Sequence, residues 1–186
     1  MTTEIFNEVL SETETAVRDS LRRFAEDVMR PIGKELDVMS PDDVIAKNSI
    51  LWDAHKQYAG LGINMFAQDD SMNPVESARI AALTSEMLGW GDTGLAISLG
   101  VSGMPVSLAQ MSGNPALIEK FALDKVGCWA ITEPNHGSDL VDFAGKADGI
   151  DNVQKGDCVA RKDGDNIVIQ GQKSSWVSNG TIAEMA

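Results

Sequence analysis

Two short stretches carry the residue types that could do chemistry. The first is Ala130-Ile131-Thr132-Glu133-Pro134-Asn135-His136-Gly137-Ser138-Asp139, entered through Val126-Gly127-Cys128-Trp129. Trp129, Ala130 and Ile131 suit a strand with little solvent contact. Glu133-Pro134 ends its ladder, because proline donates no hydrogen bond. Gly137 allows a positive φ or the close approach of another group. Ser138 then offers a hydroxyl and an N–H at a loop tip, where such groups can hold an anion such as a diphosphate. An ordinary Asn/Gly/Ser turn would read the same way. The second stretch is Ser175-Trp176-Val177-Ser178-Asn179-Gly180, a strand ending in a hydroxyl and then an Asn-Gly turn. A broad indole beside a hydroxyl suits a flat heteroaromatic ring, the one covering a face and the other reaching an edge atom. A buried Trp is more often plain core.

The elements that must position these stretches are mostly helical. Residues from about Ser11 to Asp37 read as one long helix, with Val17, Leu21, Phe24, Ala25, Val28 and Met29 on one face and Pro31 expected to kink or end it. Ser40-Pro41-Asp42-Asp43 starts a second helix running to about Tyr58, with a serine cap, proline in first position and acids at the positive end of the dipole. His55 lies on it beside Trp52 and Tyr58 and reads as a structural or surface histidine. Gly60-Leu61-Gly62 closes it. Asn73-Pro74 starts the next, whose stripe is Val75, Ala78, Ala82, Leu83, Met87 and Leu88, broken at Gly89-Trp90-Gly91-Asp92. Thr93 to about Met111 is apolar and rich in small residues, and tight packing between helices accounts for that. Asn114-Pro115 caps a short helix to about Leu123. Beyond Phe143 the pattern turns to single apolar residues among Gly, Asp and Lys. Cys158–Arg161 and Asn166–Ile169 then form two strands about an Asp-Gly turn. The division is a helical domain, 1–125, and a β domain, 126–186.

Composition narrows the function. The chain has 186 residues and is 43% hydrophobic, so it can bury a core. Its 28 acids against 15 bases leave a net charge of -13, which argues against nucleic acid and anionic membrane partners, since both need a basic patch. Cys128 and Cys158 have neither a partner pair nor a metal-ligand spacing and suit a reducing cytosol. With His55 and His136 the only histidines, no His-rich metal site is expected, and no metal is assigned. No unbroken apolar run reaches the roughly 18 residues of a membrane helix. The start, Thr2 to Glu14, is acidic and resembles no leader.

Together, Thr-Glu-Pro-x-x-Gly-Ser-Asp and Trp-x-[Ser/Thr]-Asn, with a hairpin between them, resemble the acyl-CoA dehydrogenase family of flavoproteins, and the upstream helices are similar to its N-terminal domain. The resemblance covers nearly the whole chain. It implies an α+β fold: an N-terminal all-α helical domain followed by the start of an antiparallel β-barrel domain, without the C-terminal helical bundle. It implies FAD as cofactor and an acyl-CoA thioester as substrate, oxidised to 2,3-enoyl-CoA by α-proton removal and β-hydride transfer to flavin N5. Electron-transfer flavoprotein would be the acceptor, in a homo-oligomer.

By motif, Trp129, Ala130, Ile131, Thr132, Gly137 and Ser138 should border the flavin, with the Thr132 hydroxyl near its N1/O2 side, where negative charge arrives on reduction. Ser138 should also sit near the phosphate or pantetheine of the CoA thioester. Trp176 and Val177 should pack on the ring, and Ser178, where the family often has threonine, should reach N5. Gly100, Val101 and Met104 would wall the acyl slot. The family's base comes from the bundle beyond Ala186. Glu133 is read as a support of its loop, so no catalytic residue is assigned and this chain alone is expected to be inactive. Two features depart from the pattern: a short junction at Asp124-Lys125-Val126-Gly127, and His136 where a small residue is common. The first leaves the register at the junction open; the second keeps open a related flavin oxidase or monooxygenase that uses no CoA, and a non-catalytic scaffold segment is the third reading.

Overall fold

A computed structural model describes residues 9–63, 72–121, 124–137, 156–174 and 177–185 of the chain. Helix α1 (Glu12–Phe24) opens with a capping box: the Ser11 hydroxyl accepts from Glu14 N–H, and the Glu14 carboxylate accepts from Ser11 N–H at 2.7 Å. The helix does not stop at Pro31. It widens just before it, through a π-helical turn, Ala25–Met29, in which Arg30 N–H reaches back to Ala25 O, and then continues as α2 (Arg30–Leu36). Proline's ring collides with the carbonyl four residues back in a regular α-helix. The wider turn relieves that collision without breaking the rod.

The second expected helix is two. Helix α3 (Pro41–Val44) is capped by Ser40, and α4 (Leu51–Gly60) starts afresh. Between them the chain turns at Ala46–Ser49, held by Trp52 Nε1–H donating to Ala46 O at 2.8 Å and Leu51 N–H donating to the Ser49 hydroxyl at 3.2 Å. Helix α5 (Pro74–Gly91) is capped by Asn73. The apolar stretch after it is also divided, by Gly103, into α6 (Thr93–Ser102) and α7 (Met104–Ser112), and α8 (Pro115–Lys120) follows.

The core lies where α1, the π turn, α4, α5 and α6 meet. Leu21, Met29, Leu88 and Leu99 are fully buried there, each burial contributing about 2 kcal/mol or more. The expected stripe of α5 holds at Leu83, Met87 and Leu88, but Val75 is exposed. Thr93–Ser112 has the length and apolar character to cross a membrane, which the unbroken-run test did not register. Half of it is buried inside this fold, and a core helix of a soluble protein meets the same standard.

Among the described residues the regular sheet is one antiparallel pair, β1 (Val159–Asp163) and β2 (Asn166–Gln170). Val159 faces Gln170 and Asp163 faces Asn166, so the turn tip is Gly164-Asp165, one residue beyond the expected Asp-Gly.

Candidate functional site

The fold brings the two sequence stretches together. Trp129 and Ser178 form an antiparallel bridge. Further along, Ser174 N–H donates to Thr132 O at 2.9 Å, and the Ser174 hydroxyl donates to Thr132 Oγ1 at 2.6 Å. On the other flank Gly127 pairs in parallel with Met185, and Cys128 N–H donates to Met185 O at 2.9 Å. Gly127 is required by contact: a Cβ there would meet Ser102 O at 2.5 Å and Pro105 Cδ at 2.7 Å. The strand is thus pressed onto the α6–α7 junction. Of the residues expected at a cofactor, Trp129 is 38% exposed, Ala130, Ile131, Thr132, Val177 and Ser178 are half-buried, and Gly137 is exposed. Ser138 and Trp176 lie outside the described residues.

The turn after Ser178 is anchored in the helical half of the chain. Asn179 has a φ of 60°, a conformation Asn tolerates better than most side chains. Its Nδ2 donates to Ser98 O at 2.7 Å, Gly127 O at 3.0 Å and Ser102 Oγ at 3.1 Å, and its Oδ1 accepts from Ser98 Oγ at 2.7 Å. Behind α6, His55 of α4 completes the network, with Nε2 3.0 Å from Ser98 Oγ and Nδ1 3.3 Å from Ser102 Oγ. Ser98 gives its only hydroxyl proton to Asn179, so His55 Nε2 must be the protonated nitrogen. Burial lowers this imidazole to about 4, so it is neutral at pH 7, in keeping with the structural role read from the sequence.

Glu133 holds the first loop closed. Glu133 and His136 exchange backbone hydrogen bonds across Pro134-Asn135, at 2.8 and 3.1 Å. The buried Glu133 carboxylate accepts from Lys173 Nζ at 2.8 Å, from Cys158 N–H at 3.0 Å and from Asp157 N–H. The Lys173 hydrogen bond, helped by the amides of Cys158 and Asp157, holds this carboxyl below the ordinary carboxylate range against the opposing effect of burial. Glu133, His136 and Asp157 offer ligand atoms within 4.8 Å of one another. A cation there would have to displace Lys173 or the amides from Glu133.

Among the described residues, two concavities border α6. The smaller, about 20 Å³, is lined by Gly100 with His55, Tyr58 and Ser102; it is far below ligand size. The larger, about 720 Å³, is lined by Gly94, Leu95, Ser98 and Asn179 with residues of α2 and α4. Val101 and Met104 line neither.

No family model matches the chain. It is similar to the short-chain specific mitochondrial acyl-CoA dehydrogenase of Rattus norvegicus, 27% identical over 180 residues that cover 91% of this chain and 38% of that protein. The Homo sapiens protein of that name is 26% identical over 187 residues, 95% of this chain and 39% of its own. The short-chain specific acyl-CoA dehydrogenase of Clostridium acetobutylicum is 26% identical over 182 residues, 94% and 42%. The chain is a relative of the acyl-CoA dehydrogenases. It spans about two fifths of the length of the curated relatives it matches.

Sequence reasoning in this acyl-CoA dehydrogenase relative missed Ser174, the hydroxyl that meets Thr132. One serine in Lys173-Ser174-Ser175 carries no spacing signal. It also missed what Asn179 is bonded to. The Asn-Gly pair signals the turn, but nothing in the sequence spacing marks Ser98 and Ser102 as its partners.

Proposed function

We propose that this chain is the N-terminal part of an FAD-dependent acyl-CoA dehydrogenase that oxidises an acyl-CoA thioester to the 2,3-enoyl-CoA. The observation that carries the proposal is the pairing of the two motif stretches, Trp129 opposite Ser178 and Thr132 bonded to Ser174. A partly exposed indole and hydroxyls on paired segments fit a flat, polar-edged ring. FAD, when bound, supplies the acceptor for the substrate's β hydride. The residues that would hold it are Trp129–Thr132, Gly137 and Ser138 on one segment and Trp176–Ser178 on the other. Ser174 fixes the Thr132 side chain, and Asn179 fixes the turn beyond Ser178, so both hydroxyls are set before a ligand arrives. Gly100, Val101 and Met104 remain our choice for the acyl wall.

Glu133 is not the base in this reading. Its oxygens already accept from an ammonium and two amides, which stabilises the carboxylate and leaves it poorly basic. The fold is then the helical domain, 1–125, and the opening of an antiparallel β-barrel domain, 126–186, of a cytoplasmic homo-oligomer that passes electrons to electron-transfer flavoprotein. His136 gives the oxidase alternative no support, because it is buried and pairs with Glu133 in closing the loop.

The test is turnover by the whole protein that carries this chain, given acyl-CoA and an electron-accepting dye. Enoyl-CoA formation supports the proposal; oxygen uptake with a substrate lacking CoA overturns it. By itself the 186-residue chain should bind FAD weakly or not at all, and flavin co-purifying tightly with it would refute that division of labour.

A further inference from the structure

We propose that the small cavity between α4, α6 and residues 124–126 binds one water molecule, which accepts the Tyr58 hydroxyl proton and donates to His55 Nδ1. Three observations meet there. The cavity is about 20 Å³ and is lined by His55, Tyr58, Gly100, Ser102 and Val126. One water needs about 10–15 Å³ measured this way, together with two to four polar partners. The Tyr58 hydroxyl is buried, on a residue only 7% exposed, and has no hydrogen-bond partner among the described residues. A buried hydroxyl left so is destabilising, and a phenol pushed up to about 12 by burial stays a donor at any working pH.

The third observation is a shortage of protons. Ser98 donates to Asn179 Oδ1, so His55 Nε2–H must donate to Ser98, and Nδ1 is left as an acceptor. Ser102 has one hydroxyl proton and two acceptors for it, Ser98 O at 2.9 Å and His55 Nδ1 at 3.3 Å. If the nearer carbonyl takes it, Nδ1 of this cavity-lining imidazole lacks a donor. A water between Tyr58 and His55 corrects both deficits, and its second proton can go to Ser102 Oγ. The water thereby fixes the tautomer through which His55 holds Ser98, and Ser98 holds Asn179. The site exists whether or not the chain binds flavin.

The test compares crystals of the chain and of Tyr58→Phe, with thermal unfolding of both and ¹⁵N NMR of His55. The expected result is one ordered peak within about 3 Å of both Tyr58 Oη and His55 Nδ1, absent in the Phe variant. His55 should be protonated at Nε2 with an acceptor Nδ1, and the variant's Tm should fall by about 2–4 °C, one net hydrogen bond at this chain length. A bare cavity in the parent, a Tm that rises when the hydroxyl is removed, or an imidazole protonated at Nδ1 overturns the proposal. Phe keeps the ring that packs against Phe24 at 5.8 Å, so the variant retains the core contact.

Discussion

Replacing Asn179 by alanine tests the tie between the second motif and the helices. The substitution removes side-chain bonds to Ser98 O, Ser98 Oγ, Ser102 Oγ and Gly127 O. Two amide protons serve three of these acceptors, so about three net bonds are lost, worth about 1 kcal/mol each and less where half-exposed. Alanine at a φ of 60° adds about 1 kcal/mol of backbone strain. The expected loss is about 2–4 kcal/mol, or roughly 5–15 °C in Tm for a chain of this length. Equilibrium urea unfolding followed by tryptophan fluorescence reads the difference, with the denaturant slope unchanged if the native state stays compact. Asn179→Gly separates the two terms: it loses the same bonds but adopts the positive φ without strain, so it should recover about 1 kcal/mol relative to alanine. An alanine variant within about 0.5 kcal/mol of the parent, or a glycine variant less stable than alanine, would refute the reasoning.

Acid should act through His55. With its pKa at about 4 in the fold against an ordinary 6.5, the unfolded chain binds the extra proton between those values. Its part of the stability is therefore whole above pH 6.5 and shrinks as pH falls toward 4, by roughly 3 kcal/mol at most. His55→Gln should flatten that slope in pH-dependent urea titrations, and an unchanged slope would refute the assignment to His55. For Glu133, whose pKa is lowered chiefly by Lys173, the stabilisation is present above its ordinary 4.5 and lost as pH drops through the lowered value. Glu133→Gln should be less stable than the parent at pH 7 and approach it in acid, and equal stability at pH 7 would mean the clamp carries no weight. Gly127→Ala should cost about 1–3 kcal/mol by overpacking, since the added carbon meets Ser102 backbone rather than a movable side-chain end; a neutral result in urea unfolding would show that the strand stands off from α6.

The apolar periodicity located most of the helical half, because Leu21, Phe24, Met29, Met87 and Leu88 bury one face each. It could not place the breaks at Ala46–Ser49 and Gly103. Those depend on a tryptophan N–H reaching a carbonyl six residues back and on a tightened step at Gly103, whose N–H bonds Gly100 O, between two apolar segments, neither of which alters the pattern of apolar spacing. The two motif stretches were legible as strand-and-turn signals, and the structure joins them. What secures them was not legible. Ser174, Ser98 and His55 contribute through partners at sequence separations from 42 to 81, and no local rule spans that distance. Glu133 was readable as a loop support because a glutamate before proline has few other uses, though Lys173 as its counterion was not.

The widened turn at Ala25–Met29 sets the phase of everything before and after it. A π turn amounts to one residue inserted into an α-helix, a rotation of about 100°. The faces upstream and downstream therefore belong to two different helical wheels, joined at the point where Gly91 leaves room for α5, since a Cβ there would meet Ala25 Cβ at 2.9 Å and Ala25 Cα at 3.2 Å. An alignment that runs the opening helix straight through will misassign its inward positions by one. A designer who deletes a single residue there to regularise the rod would turn Ile32 and Leu36 away from the neighbours they now cover.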